Sequence, residues 1–137
     1  MAFNTVAQNQ TGTGARASGV DCSVNAVSTV LATSSIVRKD NASKPAVSGT
    51  CAWVFSNIQD RASITPPEPV AAPSNNDADC MLTNNTDGFP VIAEESACQN
   101  TGQPLAEITI EIDADLEVDY QGNSRLVTPP DMGADEL

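Results

Sequence analysis

The apolar residues of this chain come in short, largely β-branched runs cut off by Asn, Ser, Thr, Gly and Asp, and that punctuation restricts the fold more than any other feature. The runs fall around Phe3 to Ala7, Val27 to Leu31, Ser35 to Val37, Ala52 to Phe55 and Val91 to Ala93. None sustains a helical period, so they read as strands and the chain reads as all-β. From Ile108 to Tyr120 the alternation is strict, with Ile108, Ile110, Ile112, Ala114, Leu116, Val118 and Tyr120 on one side and Thr109, Glu111, Asp113, Asp115, Glu117 and Asp119 on the other. That pattern predicts a half-buried sheet surface with an acidic outer face, bent near Ala114, because a continuous strand of this length would span roughly 43 Å. At 137 residues there is room for one domain, and with five aromatic residues the core has to be built from Val, Ile, Leu and Ala.

Charge divides the chain. Up to Thr65 there are five basic and three acidic residues, a balance of +2; from Pro66 onward there are fifteen acidic residues and one Arg, a balance of -14. The seam, TPPEPVAAPSNND, carries prolines at 66, 67, 69 and 73 that break helix and central strand alike, and it reads as a loop. The expected organisation is therefore residues 1–65, a Pro/Asn-rich loop over 66–79, and an acidic segment over 80–137. A net charge of -12 repels nucleic acid and anionic membranes, and the absence of His removes His-based acid/base chemistry and most zinc sites. The opening MAFNTVAQNQ has neither the basic start nor the apolar run of a secretory signal, and no stretch has the length to insert in a membrane. Four cysteines, with no C-x-x-C pair and no His, instead indicate two disulfides and an oxidising compartment, the competing reading being four buried thiols in a cytosolic chain. A secreted precursor longer than this chain reconciles the two signals.

A faint internal repeat refines the fold. SSIVRKDN and FSNIQD each place Ser before a β-branched residue and end in a polar turn, with Ile36 and Ile58 22 residues apart; TVAQN near the start has the same shape. A period of this size with Asn, Asp and Gly corners suits the coil of a parallel β-helix.

The ending GNSRLVTPPDMGADEL resembles the terminal signature of bacterial secreted right-handed parallel β-helix proteins of the pectin-lyase-like kind, which finish in D-x-x-G-N-x-R followed by D-I-G-A-Y-E or D-I-G-A-D-E. The matching positions are Asp119, Gly122, Asn123 and Arg125, then Asp131, Met132, Gly133, Ala134, Asp135 and Glu136. SSIVRKDN, then SGTCAWVFSNIQD, are similar to that family's last coils, and GFPVIAEESACQNTG to the stretch leading into its "SPCIDAG" segment. The family's "DPLF" segment has no counterpart, with DADCMLTNN in its place. The resemblance implies the last coils of a right-handed parallel β-helix over residues 1–65, followed by an irregular acidic β segment that ends in a DMGADE cap. On that arrangement Cys22 and Cys51 lie one coil apart, about 4.8 Å, within disulfide reach, which leaves Cys80 to pair with Cys98. Four cysteines admit three pairings in all.

The chemistry indicated is structural. Asp131, two residues before Gly133, is placed to accept backbone N–H groups while the small residue allows close packing. Arg125, alone among fifteen carboxylates, is expected to pair with Asp131 or Asp119. The acidic stripe Glu111, Asp113, Asp115, Glu117 and Asp119 raises the question of calcium. Carboxylates on one face of a strand nevertheless stand about 6.6 Å apart, and no calcium-loop motif occurs, so a solvated face is the expectation and no cofactor is assigned. Arg16, Arg38, Lys39 and Arg61 are the basic candidates for lyase-type catalysis, but none sits in a catalytic motif. Sequons at Asn9, Asn41 and Asn84 read as Asn-rich turns. The expectation is a non-catalytic capping segment of a secreted or cell-surface β-helix that presents a surface to glycans or surface proteins. The alternatives are a fragment of a polysaccharide lyase or hydrolase and an independent disulfide-bonded sandwich domain.

Overall fold

A computed structural model describes residues 2–8, 15, 17–22, 31–49, 51–60, 75–108, 114–126, 129–133 and 136. Nine short strands account for its regular structure: β1 Thr5–Val6, β2 Val20–Cys22, β3 Leu31–Thr33, β4 Ile36–Val37, β5 Val47–Gly49, β6 Ala52–Val54, β7 Asn57–Ile58, β8 Thr83–Asn84 and β9 Pro90–Val91. Two 3-10 turns, Leu105–Glu107 and Ala114–Glu117, are the helical elements among the described residues. The chain is all-β.

The first seven strands pair in parallel. β1, β4 and β7 form one sheet in that order, with Thr5 opposite Ile36 and Ile36 opposite Asn57. β2 pairs with β5, and β3 with β6, both parallel, with Val20 opposite Val47 and Ala32 opposite Trp53. A further parallel bridge joins Asn57 to Asn76. Asn76 belongs to the ladder although it falls in the stretch expected to be loop, and the repeat is one residue shorter than read: Val37, not Ile36, is the partner of Ile58. The Ser34–Ser35 doublet offers two ways to align the segments, and hydrogen bonding selects the one that stacks Ser35 on Ser56.

That stacking forms a polar corner repeated at each level. Asn4, Ser35, Ser56 and Asn75 occupy equivalent positions, one before the paired strands. The Asn4 N–H donates to Ser35 Oγ at 3.4 Å, the Ser35 N–H to Ser56 Oγ at 3.2 Å and the Ser56 N–H to Asn75 Oδ1 at 2.8 Å. The residues before them, Phe3, Ser34 and Phe55, all take left-handed backbone with φ of 49, 50 and 47°. Bulky side chains enter that region at a cost, so its recurrence at three equivalent sites marks a turn imposed by the pairing on either side. Short strands follow from this: each ends where the corner must bend.

Alternation along β4 then sorts the core into two layers. Val37 and Ile58 point to one side, where they meet Ala32, Trp53, Val47, Ala46 and the Cys22–Cys51 disulfide. Ile36 points to the other side and is fully buried against Met132, Ile92 and the Cys80–Cys98 disulfide. Because β4 is the central strand of its sheet, Met132 and Gly133 lie against the face of that sheet that carries Ile36. Each fully buried Ile or Val of this kind contributes on the order of 1.5–3 kcal/mol.

Beyond Ile108 the strict alternation does not produce the expected strand. Residues 109–113, with Glu111 and Asp113, lie outside the described part of the chain. Ala114–Glu117 is a 3-10 turn, and Val118 bridges Ser124 in an antiparallel turn-back. The inside–outside assignment inverts there: Val118 and Tyr120 are exposed at 43% and 48%, while Asp119 is buried at 6%. A hydrogen-bonded turn gathers N–H groups around Asp119, and four of them outweigh what two apolar side chains gain from burial.

Candidate functional site

Three regions hold chemistry, the first being the cluster around Arg125. The turn-back from Val118 to Ser124 brings Arg125 beside the chain's last residues. Its Nη1 donates to Glu136 Oε1 at 2.6 Å, and both side chains are nearly fully buried. The partner is thus Glu136, not the expected Asp131 or Asp119, because those two carboxylates are engaged by backbone donors. Asp119 accepts the N–H groups of Gln121, Asn123 and Glu136 and the side-chain amide of Asn123. Asp131 Oδ1 accepts the Asn100 N–H, and the Asp131 N–H donates to Glu136 Oε2 at 3.0 Å. The guanidinium also lies over the Phe3 ring, 4.4 Å from its centre, which ties the end of the chain to its beginning.

Burial and charge oppose each other in this cluster. Burial pushes the Glu136 carboxyl up to about 7, against the Asp131 N–H and the Arg125 charge that favour its ionised form. Burial likewise lowers Arg125 from its usual value, although Glu136, Asp119 and Asp131 support its charge. At Asp119 burial opposes ionisation too, but the bonds from Glu136, Asn123 and Gln121 win and hold the carboxyl below the usual range.

Gly133 shows why the neighbouring position is small. Its φ is +95°, its N–H donates to the Ser34 carbonyl at 2.8 Å, and a Cβ there would stand 2.7 Å from Thr5 Oγ1 and 2.8 Å from Ile36 Cδ1. Met132 beside it donates its N–H to the Cys98 carbonyl and is fully buried. The close packing expected of the DMGADE segment is therefore made against β1 and β4. Both expected disulfides form, with Cα separations of 5.6 Å for Cys22–Cys51 and 5.2 Å for Cys80–Cys98, each within one half of the chain. Arg125, the four cysteines and Gly133 each fasten one segment to another.

A second region is a cavity of about 220 Å³ lined by Arg38, Asn57, Gln59, Asp77, Ala78 and Asp79. Arg38 and Asp79 pair across it at 3.1 Å, and the Met81 N–H followed by Arg38 holds the Asp79 carboxyl below its usual range. Lys39 pairs with Asp60 at 3.0 Å. Arg16 and Arg61, the other basic candidates, lie outside the described residues. Among the described residues no group of three or more His, Cys, Asp or Glu side chains is placed to hold a metal ion, and no helix is long and apolar enough to cross a membrane.

The third region is one the sequence reading passed over. Phe89, on the turn that joins β8 to β9, and Tyr120 are exposed at 56% and 48%, and their rings meet edge to face at 6.0 Å. They border an open groove of about 770 Å³ whose other walls are Asn84, Asn85, Thr86, Asp87 and Gln121. Asn85 fixes the geometry: its Oδ1 accepts the N–H groups of Asp87 and Phe89, and its amide donates to the Tyr120 hydroxyl at 2.7 Å. Two exposed aromatics in a chain with five are the signal that was available, but 31 residues separate them in sequence and only the turn at Asp119 brings them together.

Comparison of the chain with family models, with curated proteins and with solved structures finds no match.

Proposed function

We propose that this chain is a non-catalytic, disulfide-stabilised section of an extracellular right-handed parallel β-helix of the pectin-lyase-like kind, whose work is to hold an extended scaffold together and present its surface to glycans or cell-surface proteins. The observation that carries this reading is the shared register of the parallel ladders: Thr5, Ile36, Asn57 and Asn76 stack in one column, while Val20–Val47 and Ala32–Trp53 stack in two others. Successive partners in the first column are 31, 21 and 19 residues apart, the spacing of one coil with insertions at its loops. Parallel neighbours joined by crossovers are overwhelmingly right-handed, which supports the hand.

Two further features favour a structural role. The signature residues Arg125, Asp131, Gly133 and Glu136 make contacts between segments, and the Arg125 side chain is 3% exposed. Both disulfides fit export to an oxidising compartment. A preparation secreted from an exporting host tests the proposal by two readouts. Non-reducing peptide maps are expected to give Cys22–Cys51 and Cys80–Cys98, and screens on uronic-acid and neutral polysaccharides are expected to give no cleavage. Cleavage that disappears in Arg38→Ala, with melting unchanged, would instead assign the chain to a polysaccharide lyase or hydrolase.

A further inference from the structure

We infer that the Phe89–Tyr120 groove binds a neutral oligosaccharide chain. An exposed ring face carries negative charge density and attracts the weakly positive C–H face of a pyranose, and here two rings at an angle offer a face and an edge to successive sugar units. Sugar hydroxyls need fixed donors and acceptors beside that face. The amides of Asn84 and Gln121 and the carboxylate of Asp87 line the same groove. Its volume of about 770 Å³ falls within the range of small-ligand sites.

The Tyr120 hydroxyl gives the inference its sharpest atom. It accepts from Asn85 Nδ2 at 2.7 Å and lies 2.7 Å from the side-chain amide of Gln121. With the oxygen already accepting from Asn85, its proton is available to a ligand hydroxyl in the groove. The orientation of Asn85 is not free to reverse, because its Oδ1 already accepts two backbone N–H groups. Tyr120 is held by this network before any ligand arrives, which lowers the ordering cost of binding.

Charge selects the class of glycan. Among the described residues none that lines the groove is basic, Asp87 contributes a carboxylate, and the half of the chain that builds it carries fourteen net negative charges. Uronic-acid, sulfated and phosphorylated chains are repelled; chains bearing only hydroxyls are not. The Asp87 carboxylate and the four other polar residues beside the two rings also argue against a protein occupant, since the centres of protein interfaces are depleted in charged residues.

This inference deepens the surface-presenting role proposed above but fails separately from it, because a chain with intact parallel ladders and no affinity for sugars would refute the groove alone. The experiment titrates neutral β-1,4-glucan, β-1,4-xylan and α-1,4-glucan hexasaccharides into protein made in a host that does not glycosylate Asn84, with polygalacturonate oligomers as the anionic control. Binding of at least one neutral chain at sub-millimolar to millimolar concentration is expected, with polygalacturonate at least tenfold weaker. Phe89→Ala and Tyr120→Ala are each expected to weaken it tenfold or more, and Tyr120→Phe severalfold, all with unchanged melting. No binding of any neutral chain by folded protein, equal or tighter binding of polygalacturonate, or affinity indifferent to Phe89→Ala would each overturn the inference. So would concentration-dependent self-association that Phe89→Ala abolishes in a protein that binds no sugar, since the groove would then serve a second copy of the chain.

Discussion

Replacing Arg125 by Met tests how the carboxylate cluster is held. The guanidinium is 3% exposed and sits 2.6 Å from a Glu136 carboxylate that is equally buried, with the Asp119 and Asp131 charges close by. Without it, an ionised Glu136 is an uncompensated buried charge, a defect that would cost about 3–5 kcal/mol if the carboxyl stayed ionised. The cost depends on pH because Glu136 can escape it by taking up a proton. Its folded value of about 7 lies above the ordinary 4.5, so the folded state holds this proton more tightly than the unfolded chain does. Stability from this group is complete below 4.5 and is lost as pH rises through 7; at ~1.4 kcal/mol per tenfold change in proton affinity the full loss is ~3 kcal/mol. In Arg125→Met the carboxyl loses its attracting charge and its value rises further. Urea denaturation of both proteins is therefore expected to give a small difference at pH 5, where Glu136 is protonated in both, and a difference larger by up to ~1.4 kcal/mol at pH 8, one pH unit above the wild-type value, because the carboxyl in Arg125→Met takes up a proton rather than stand as an unpaired charge. Glu136→Gln is expected to flatten the decline of stability between pH 5 and 8. A loss equal at the two pH values, or larger at pH 5 than at pH 8, would refute the argument that a buried charge is being neutralised.

Three other perturbations address different parts of the molecule. Gly133→Ala places a Cβ at φ +95° and 2.7 Å from Thr5 Oγ1, and thermal unfolding is expected to show a loss of about 1–3 kcal/mol; an unchanged midpoint would mean the segment is not seated on β1 and β4. Asn75→Ala leaves the buried Ser56 N–H and the Trp53 carbonyl without the side chain that joins them, so a loss of about 1–3 kcal/mol is expected in denaturant titrations, against near zero if the polar corner is dispensable. Opening either disulfide releases a loop of 29 or 18 residues and is expected to cost about 3–4 kcal/mol, read as the difference between Cys22→Ala/Cys51→Ala or Cys80→Ala/Cys98→Ala and the intact chain.

How far the sequence alone leads depends on which interactions decide each region. β1, β4 and β6 are legible because their residues are β-branched or aromatic and their corners carry Ser and Asn, so local preference and tertiary pairing agree. β2 and β5 are not, since VDC and VSG carry no strong strand signal and acquire their structure by pairing with each other. The one-residue error in the repeat has the same origin: two adjacent serines satisfy the pattern equally, and only the hydrogen bonds between levels choose. At the candidate sites, the buried role of Arg125 follows from its isolation among carboxylates, whereas its partner does not, because Glu136 is selected by a turn at Asp119 that the alternation around Val118 and Tyr120 disguises as a strand. The Phe89–Tyr120 groove depends on the same turn. Hydrophobic alternation was the right statistic for a sheet and the wrong one for a segment organised around a buried carboxylate.

Short strands stacked in parallel at a shared register define this molecule, and nuclear Overhauser contacts between backbone protons measure that stacking directly. Uniformly labelled protein is expected to show interstrand contacts linking Thr5 with Ile36, Ile36 with Asn57 and Asn57 with Asn76, in the slanted, evenly spaced pattern of parallel strands, with Val6, Val37 and Ile58 side chains in mutual contact on the opposite face. Antiparallel cross-strand pairs between β3 and β4 or between β6 and β7, as two successive hairpins would give, or contacts that match Ile36 to Ile58, would contradict it.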